Sequence, residues 1–230
     1  MLLSTSQGES PHRILFLTEH SDRAEMALIA GIAQDSRFSV RILHAPGSNA
    51  VSRMQEDAPT LASCFSPWSV QSRVDFAAIR ALRHTLLRFS PHVVHAFTSR
   101  ALSTATLASV LLKHPEGSSP RRVGYRGTAG NLSRLTPADW VTYLNPSLSG
   151  IMCVSEAVRS SLISFGLPPD KLFTVYKGHD VRWYQSATSR AEVRSRLGIP
   201  EQSLLIGTNA NMRPVKGIDL LLHAAKALPL

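Results

Sequence analysis

Two cations three residues apart offer the plainest chemistry in this chain: Arg213 and Lys216, in the run Asn209-Ala-Asn-Met-Arg213-Pro-Val-Lys216-Gly217. An apolar stretch, Leu204-Leu205-Ile206-Gly207, precedes them, and a helix-period stretch over 218–228 comes after. The pattern predicts strand, loop and helix. An Arg and a Lys just before a helix N-terminus suit a diphosphate: the guanidinium forks onto two oxygens, the ammonium adds a point charge, and the first free helix N–H groups face the same anion. A solvated loop carrying two surface cations is the alternative. A strand–loop–helix unit of this size cannot bury its own apolar face, so the expectation is one domain followed by the first piece of another.

A second candidate is the glycine-rich Gly127-Thr-Ala-Gly130, an anion nest or a simple turn. Other chemistries lack their residues. The two cysteines, Cys64 and Cys153, have no CxxC spacing or His/Cys partners at metal-ligand intervals, so they read as reduced thiols of a cytoplasmic protein and no metal or cofactor is expected. The turn after the first strand, Glu19-His20-Ser21-Asp22-Arg23-Ala24, has no glycine where a dinucleotide fingerprint needs three. Walker A and G-x-S-x-G are also missing. The first twelve residues have no basic n-region and no long apolar run, and no segment approaches the roughly 20 apolar residues of a membrane span.

Charge is uneven. The net charge is +9, and between Gln71 and Arg134 ten cations face only Asp75 and Glu116. In the helix predicted over 74–89, Arg73, Arg80, Arg83 and Arg88 fall within roughly 140° of arc. Such a face rests on anionic lipid or nucleic acid, or is simply solvated. Nucleic acid is disfavoured, since no helix-turn-helix, base-stacking strand or zinc spacing accompanies it.

Elements able to position these groups alternate along the sequence. Strands are predicted over 13–18, 38–43, 92–97, 122–125, 151–154 and 171–176, and helices over 22–34, 74–89, 101–112 and 155–165, with a short one after Thr136-Pro137. Residues 48–72 read as irregular. Near-continuously apolar strands alternating with helices imply an α/β, Rossmann-like parallel sheet with helices on both faces, ending near residue 180. In 43% hydrophobic content and mean hydropathy of −0.01 the composition is ordinary for a globular protein.

Four segments occur in a telling order: Pro91-His-Val-Val-His95-Ala-Phe97; Ile151-Met-Cys-Val-Ser155-Glu156; Gly166-Leu-Pro-Pro-Asp-Lys171-Leu with Val175-Tyr-Lys-Gly178-His-Asp180; and Arg213-Pro-Val-Lys216-Gly217. The series resembles retaining glycosyltransferases of family 4, which have the GT-B fold. That resemblance implies two Rossmann-like domains across a cleft, an acceptor-side domain over 1–180, a linker over 181–202 with a short helix, and the start of a nucleotide-sugar domain over 203–230. It implies a sugar transfer from a nucleotide-sugar to a glycan or lipid-linked glycan in cell-envelope polysaccharide synthesis, without metal, in the cytoplasm or at the inner face of the membrane. Arg213, Lys216 and Gly217 match the donor diphosphate loop. His20, His95, Arg126 and Gly127 become acceptor-side candidates, and Gly178 and Asp180 shape the exit towards the linker. Arg126 stands where the family often has His, and Lys177 where Asn is usual. The family's sugar-binding E-x7-E carboxylates would lie beyond Leu230, so no catalytic residue is assigned and the 230 residues alone are expected to be inactive. A basic, non-catalytic α/β module for binding or membrane docking is the competing reading.

Overall fold

The structure, a computed structural model, describes residues 10–19, 22–46, 59–110, 112, 119–130 and 132–228. The chain divides into two units, Met1–His179 and Asp180–Leu230.

The first unit is a seven-stranded parallel sheet: β1 (His12–Thr18), β2 (Phe38–His44), β3 (Phe65–Pro67), β4 (Val93–Ala96), β5 (Arg121–Arg126), β6 (Gly150–Cys153) and β7 (Leu172–Thr174), in the order β3-β2-β1-β4-β5-β6-β7. That order is doubly wound, reversing between β1 and β4. Consecutive residues of β1 show why both faces are covered: Leu15 and Leu17 join one apolar cluster and Phe16 the other, all essentially solvent-free. Helices α1 (Arg23–Ala33), α2 (Phe76–Phe89), α3 (Ser99–Ala108), the short α4 (Pro137–Trp140) and α5 (Glu156–Ser164) connect the strands. Met26 and Ile29 of α1 cover the Phe16 side, while Leu82 and Leu86 of α2, Leu102 and Ala105 of α3, and Leu162 of α5 cover the Leu15 side. Burying one such side chain contributes about 1.5–3 kcal/mol.

Most helices begin where an oxygen-bearing side chain precedes an apolar period. Asp22, Asp75, Thr98 and Ser155 cap α1, α2, α3 and α5 by accepting from backbone N–H groups of the first turn. Gly124 in β5 is required by packing: a Cβ there would lie 2.7 Å from Leu102 Cδ2, so α3 seats directly on the strand.

The structure corrects the sequence reading in two places. Residues 48–72 are not wholly irregular, because a 3-10 turn, Pro59–Cys64, leads into β3, which pairs Phe65 with Ile42 at the sheet edge. And residues 204–207 form no strand: the segment has no regular secondary structure, and among the described residues none pairs with it in a sheet. A strand needs a neighbour to take its N–H and C=O groups.

The second unit opens with a 3-10 turn, Val181–Tyr184, capped by Asp180, followed by α6 (Arg190–Arg196) capped by Ser189. Arg194 is buried and donates to Pro200 O at 2.6 Å and Ser203 O at 2.8 Å, tying 190–203 together. Helix α7 (Ile218–Lys226) lies further along, after residues 204–213, which carry no helix or strand. Residues 181–202, expected as a linker, thus group with residues 203–230 in one unit. Among the described residues no helix is long and apolar enough to cross a membrane.

Candidate functional site

Where a doubly wound sheet reverses, the connections on either side diverge and leave a crevice beyond the carboxyl ends of the strands. Here that point is the end of β1 and β4. Glu19 follows β1 directly, and Thr98, two residues past β4, is the N-cap of α3. The Thr98 hydroxyl donates to Glu19 Oε1, and Arg100 Nη2 lies 2.6 Å from Glu19 Oε2. The Glu19 side chain is only 5% exposed, whereas Arg100 is 42% exposed. A carboxylate is therefore fixed through both oxygens, and part of its guanidinium partner still faces solvent. The site can receive hydroxyls and anions.

Beside it, the start of α1 carries a second charged group. Asp22 Oδ1 accepts from the N–H groups of Ala24 and Glu25, and Lys177, beyond β7, places its ammonium 2.6 Å from Asp22 and 3.6 Å from Glu25. The same ammonium lies 5.9 Å from the centre of the Tyr125 ring. Burial pushes Glu25 up to about 7; Lys177 pulls it down and the Asp22 charge pushes it up. For Asp22, burial raises the pKa, but the Lys177 hydrogen bond and charge and the two backbone donors outweigh it and leave the carboxyl below its usual range. Lys177 is raised: its burial is overcome by Asp22, Tyr125 and Glu25.

Arg126, at the end of β5, is the third fixed cation. Its Nε donates to Thr128 O at 3.0 Å, its Nη2 to Gly130 O, and its guanidinium lies 4.8 Å from the centre of the Tyr143 ring. The Gly130 N–H donates to Ser161 Oγ at 3.3 Å. The 127–130 loop thus turns carbonyls onto its own arginine and is no anion nest; Gly127 itself sits against the Tyr125 ring. Any anion-binding capacity here belongs to Arg126.

His95 takes another place than a ligand-facing one. In register it lies beside Phe16, and its ring stacks 4.5 Å from Phe97 and lies tilted 5.6 Å from Phe16, almost fully buried. Its Nε2 has no hydrogen-bond partner among the described residues, and burial pushes the imidazole down to about 4. It is a neutral member of an aromatic cluster beneath the edge. His20 lies outside the described residues. Gly178 meets no backbone demand, since a Cβ there would contact nothing, whereas Asp180 caps the turn that opens the second unit and holds Arg182.

In the second unit, Arg213 precedes and Lys216 ends a 3-10 turn, Pro214–Lys216, and both are exposed. Gly217 has φ of +60°, a left-handed conformation that suits glycine, and it starts α7 with no side-chain cap. Among the described helices of eight or more residues, α7 alone lacks such a cap. Its first N–H groups stay available beside two cations.

Sequence reasoning missed Glu19, Thr98, Arg100 and the Lys177–Asp22–Glu25 group. The available signals were an acid placed directly after the first strand and a lysine replacing asparagine in the 177–180 turn.

The profile of Glycosyltransferase Family 4 matches residues 27–183. A curated D-inositol 3-phosphate glycosyltransferase of Streptomyces bingchenggensis is 33% identical over 64 residues, which is 28% of this chain and 14% of that protein. Among solved structures, Anabaena HepE in complex with UDP and glucose superposes with TM-score 0.69 at 18% identity, over 95% of this chain and 59% of HepE. A glycosyltransferase from Rickettsia africae gives 0.68 at 13%, over 94% of this chain and 57% of that one. The chain thus spans somewhat under three fifths of these structures, which share its fold. With more than half its residues matched, the chain belongs to Glycosyltransferase Family 4.

Proposed function

We propose that this chain carries the acceptor side and the donor-diphosphate loop of an enzyme that moves a sugar from a nucleotide-sugar to a glycan or lipid-linked glycan, with retention at the anomeric carbon. The observation that carries the reading is the uncapped start of α7 beside exposed Arg213 and Lys216. When the sugar departs, negative charge grows on the leaving nucleoside diphosphate. Arg213 forks onto its oxygens, Lys216 adds a point charge, and the free N–H groups of α7 complete the cradle, so the interaction strengthens towards the transition state. These cations take the part that a metal plays elsewhere. The UDP in the HepE structure supports a uridine nucleotide as the first donor to try.

On the acceptor side, Glu19 receives hydroxyl protons while Arg100 and Arg126 meet anionic groups. The free thiols Cys64 and Cys153 support a cytoplasmic setting. Titration of the 230-residue chain with UDP, followed through backbone amide resonances, tests the donor assignment. The expected result is movement of the Gly217, Ile218 and Asp219 amides, abolished by Arg213→Ala. Movement confined to other amides, or persisting unchanged in Arg213→Ala, refutes it.

A further inference from the structure

A cavity of about 290 Å³ opens in the first unit between the chain that follows α4 and the turn that ends α5, against the amino-terminal ends of β6 and β7. It therefore lies away from the carboxyl edge that carries Glu19 and Arg126. Its floor is apolar: Tyr143, Leu148, Ile151, Leu167 and Leu172 are buried, and Trp140 is half-exposed beside them. The polar atoms of both aromatic rings are already engaged, since the Tyr143 hydroxyl donates to Tyr125 O at 2.8 Å and Trp140 Nε1 to Arg134 O at 2.7 Å. What the rings offer the cavity is hydrocarbon. Two cations share the lining, Arg134 and Lys171, and no described lining residue is acidic. Arg134 Nη2 donates to Phe165 O at 3.3 Å and Lys171 Nζ to Pro146 O at 2.8 Å. A carbonyl oxygen leaves the full positive charge in place, and each group has further N–H donors to give. A Cβ on Gly166 would lie 2.8 Å from Arg134 Nη2, so glycine at this turn lets the guanidinium settle against it.

We infer that this cavity binds a small organic acid with a fused-ring body, the body lying on the apolar floor and the carboxylate taken by Arg134 and Lys171. The lining selects this chemistry. A sugar would bring hydroxyls to walls that give them no partner, and a neutral hydrocarbon would leave both cations unused. About 300 Å³ is the lower end of ligand-site volumes, which suits a molecule of two fused rings. The cavity also reaches the carboxyl edge through one residue. Tyr143 lines it, and the same ring has the Arg126 guanidinium 4.8 Å from its centre while its hydroxyl holds the end of β5. A ligand packed on Tyr143 therefore bears on Arg126. Taken with the proposed transfer reaction, on which this consequence rests, the cavity is an effector site acting on the acceptor side.

Titration of the full chain with 2-naphthoate, followed through amide, indole and guanidinium N–H resonances, tests the site without any sugar transfer; 2-naphthalenemethanol is the neutral control. Saturable movement of the Trp140 indole N–H and the Gly166 amide is expected, with Kd on the order of 0.1 mM for a ligand of about thirteen non-hydrogen atoms. The Arg126 Nε–H resonance should move with them. Arg134→Gln and Lys171→Gln should each weaken the acid about fivefold, as loss of one partly exposed ion pair, and leave the alcohol unchanged; the alcohol should bind the parent about twenty-five-fold less tightly than the acid. Neither cation is buried, so resonances away from the cavity should superpose on those of the parent. Trp140 and Gly166 resonances that stay still overturn the inference, as do equal affinities for acid and alcohol or an affinity indifferent to both substitutions. Movement confined to residues 213–219 overturns it too, by placing the acid on the other pair of cations. An unmoved Arg126 resonance at saturation overturns the effect on the acceptor side. Because no nucleotide-sugar is present, failure of the acid to bind leaves the transfer reaction standing, and failure of the UDP titration leaves this cavity standing.

Discussion

Replacing His95 by Phe should change how stability depends on pH far more than it changes stability at any one pH. The buried imidazole is pushed down to about 4, against an ordinary 6.5. Between those values the unfolded chain binds a proton that the folded chain refuses, so stability is complete above about 6.5 and is lost as pH falls towards 4. At about 1.4 kcal/mol per pH unit, the loss is about 3 kcal/mol. Glu25 works in the opposite sense. Its folded value of about 7 lies above the ordinary 4.5, so the folded chain keeps a proton the unfolded chain releases; stability is complete below 4.5 and declines as pH rises to 7, again by about 3 kcal/mol. The two slopes overlap between pH 4.5 and 6.5 and offset each other there. His95→Phe keeps an aromatic ring between Phe16 and Phe97 and removes the orphaned Nε2. Its extra bulk costs about 1–3 kcal/mol at every pH. Urea unfolding, read by fluorescence in a Trp183→Phe background so that Trp68 and Trp140 report on the first unit, measures the effect. The stability difference between variant and parent should move in the variant's favour by about 3 kcal/mol from neutral pH to pH 4. A difference that stays constant with pH would refute the buried, neutral imidazole.

Lys177→Met should raise Glu25 further, since the ammonium holds it down; carboxyl carbon NMR of Glu25 would show the midpoint rise above about 7, and an unmoved midpoint would deny the contact. Arg100→Leu should destabilise by about 3 kcal/mol, because it strands the Glu19 carboxylate, and Glu19→Gln by clearly less, because Arg100 keeps contact with water. Equal losses in urea unfolding would contradict that asymmetry. Gly124→Ala should cost about 1–3 kcal/mol through the clash with Leu102, partly recovered in the double variant with Leu102→Ala, and additive losses would place the strain elsewhere.

Much of the first unit was legible in the sequence because its strands are buried on both faces, so apolar runs such as Leu15-Phe16-Leu17 announce themselves without alternation. The helices were legible through their apolar period, and the structure adds that Asp22 and Ser155 cap α1 and α5. β3 escaped notice because it has three residues, ends in proline and lies at the edge, where pairing rather than hydrophobic pattern makes the strand. Residues 204–207 misled in the opposite way, having the pattern without a partner. The 213–217 loop could be nominated because cation type and place before a helix are local facts, and Arg126 through the resemblance, as the residue standing where the family often has His. The Glu19–Thr98–Arg100 group was not, since its members stand some 80 positions apart and only the β1–β4 pairing joins them. Lys177 was visible as a departure from the family's turn; that it answers Asp22 and Glu25 across the edge required the fold. His95, nominated through the resemblance, was placed by its register beside Phe16.

The central claim is that Arg213 and Lys216 stabilise a departing nucleoside diphosphate during sugar transfer. Steady-state kcat/KM for a nucleotide-sugar, UDP-glucose first, measured on this chain joined to a complete donor half, tests it most directly. Arg213→Ala and Lys216→Ala should each lower kcat/KM by about 10²–10³, the usual effect of removing one preorganised charge at a developing anion. Parental kcat/KM in both variants would contradict the account and leave the two cations as ordinary residues of a solvated loop.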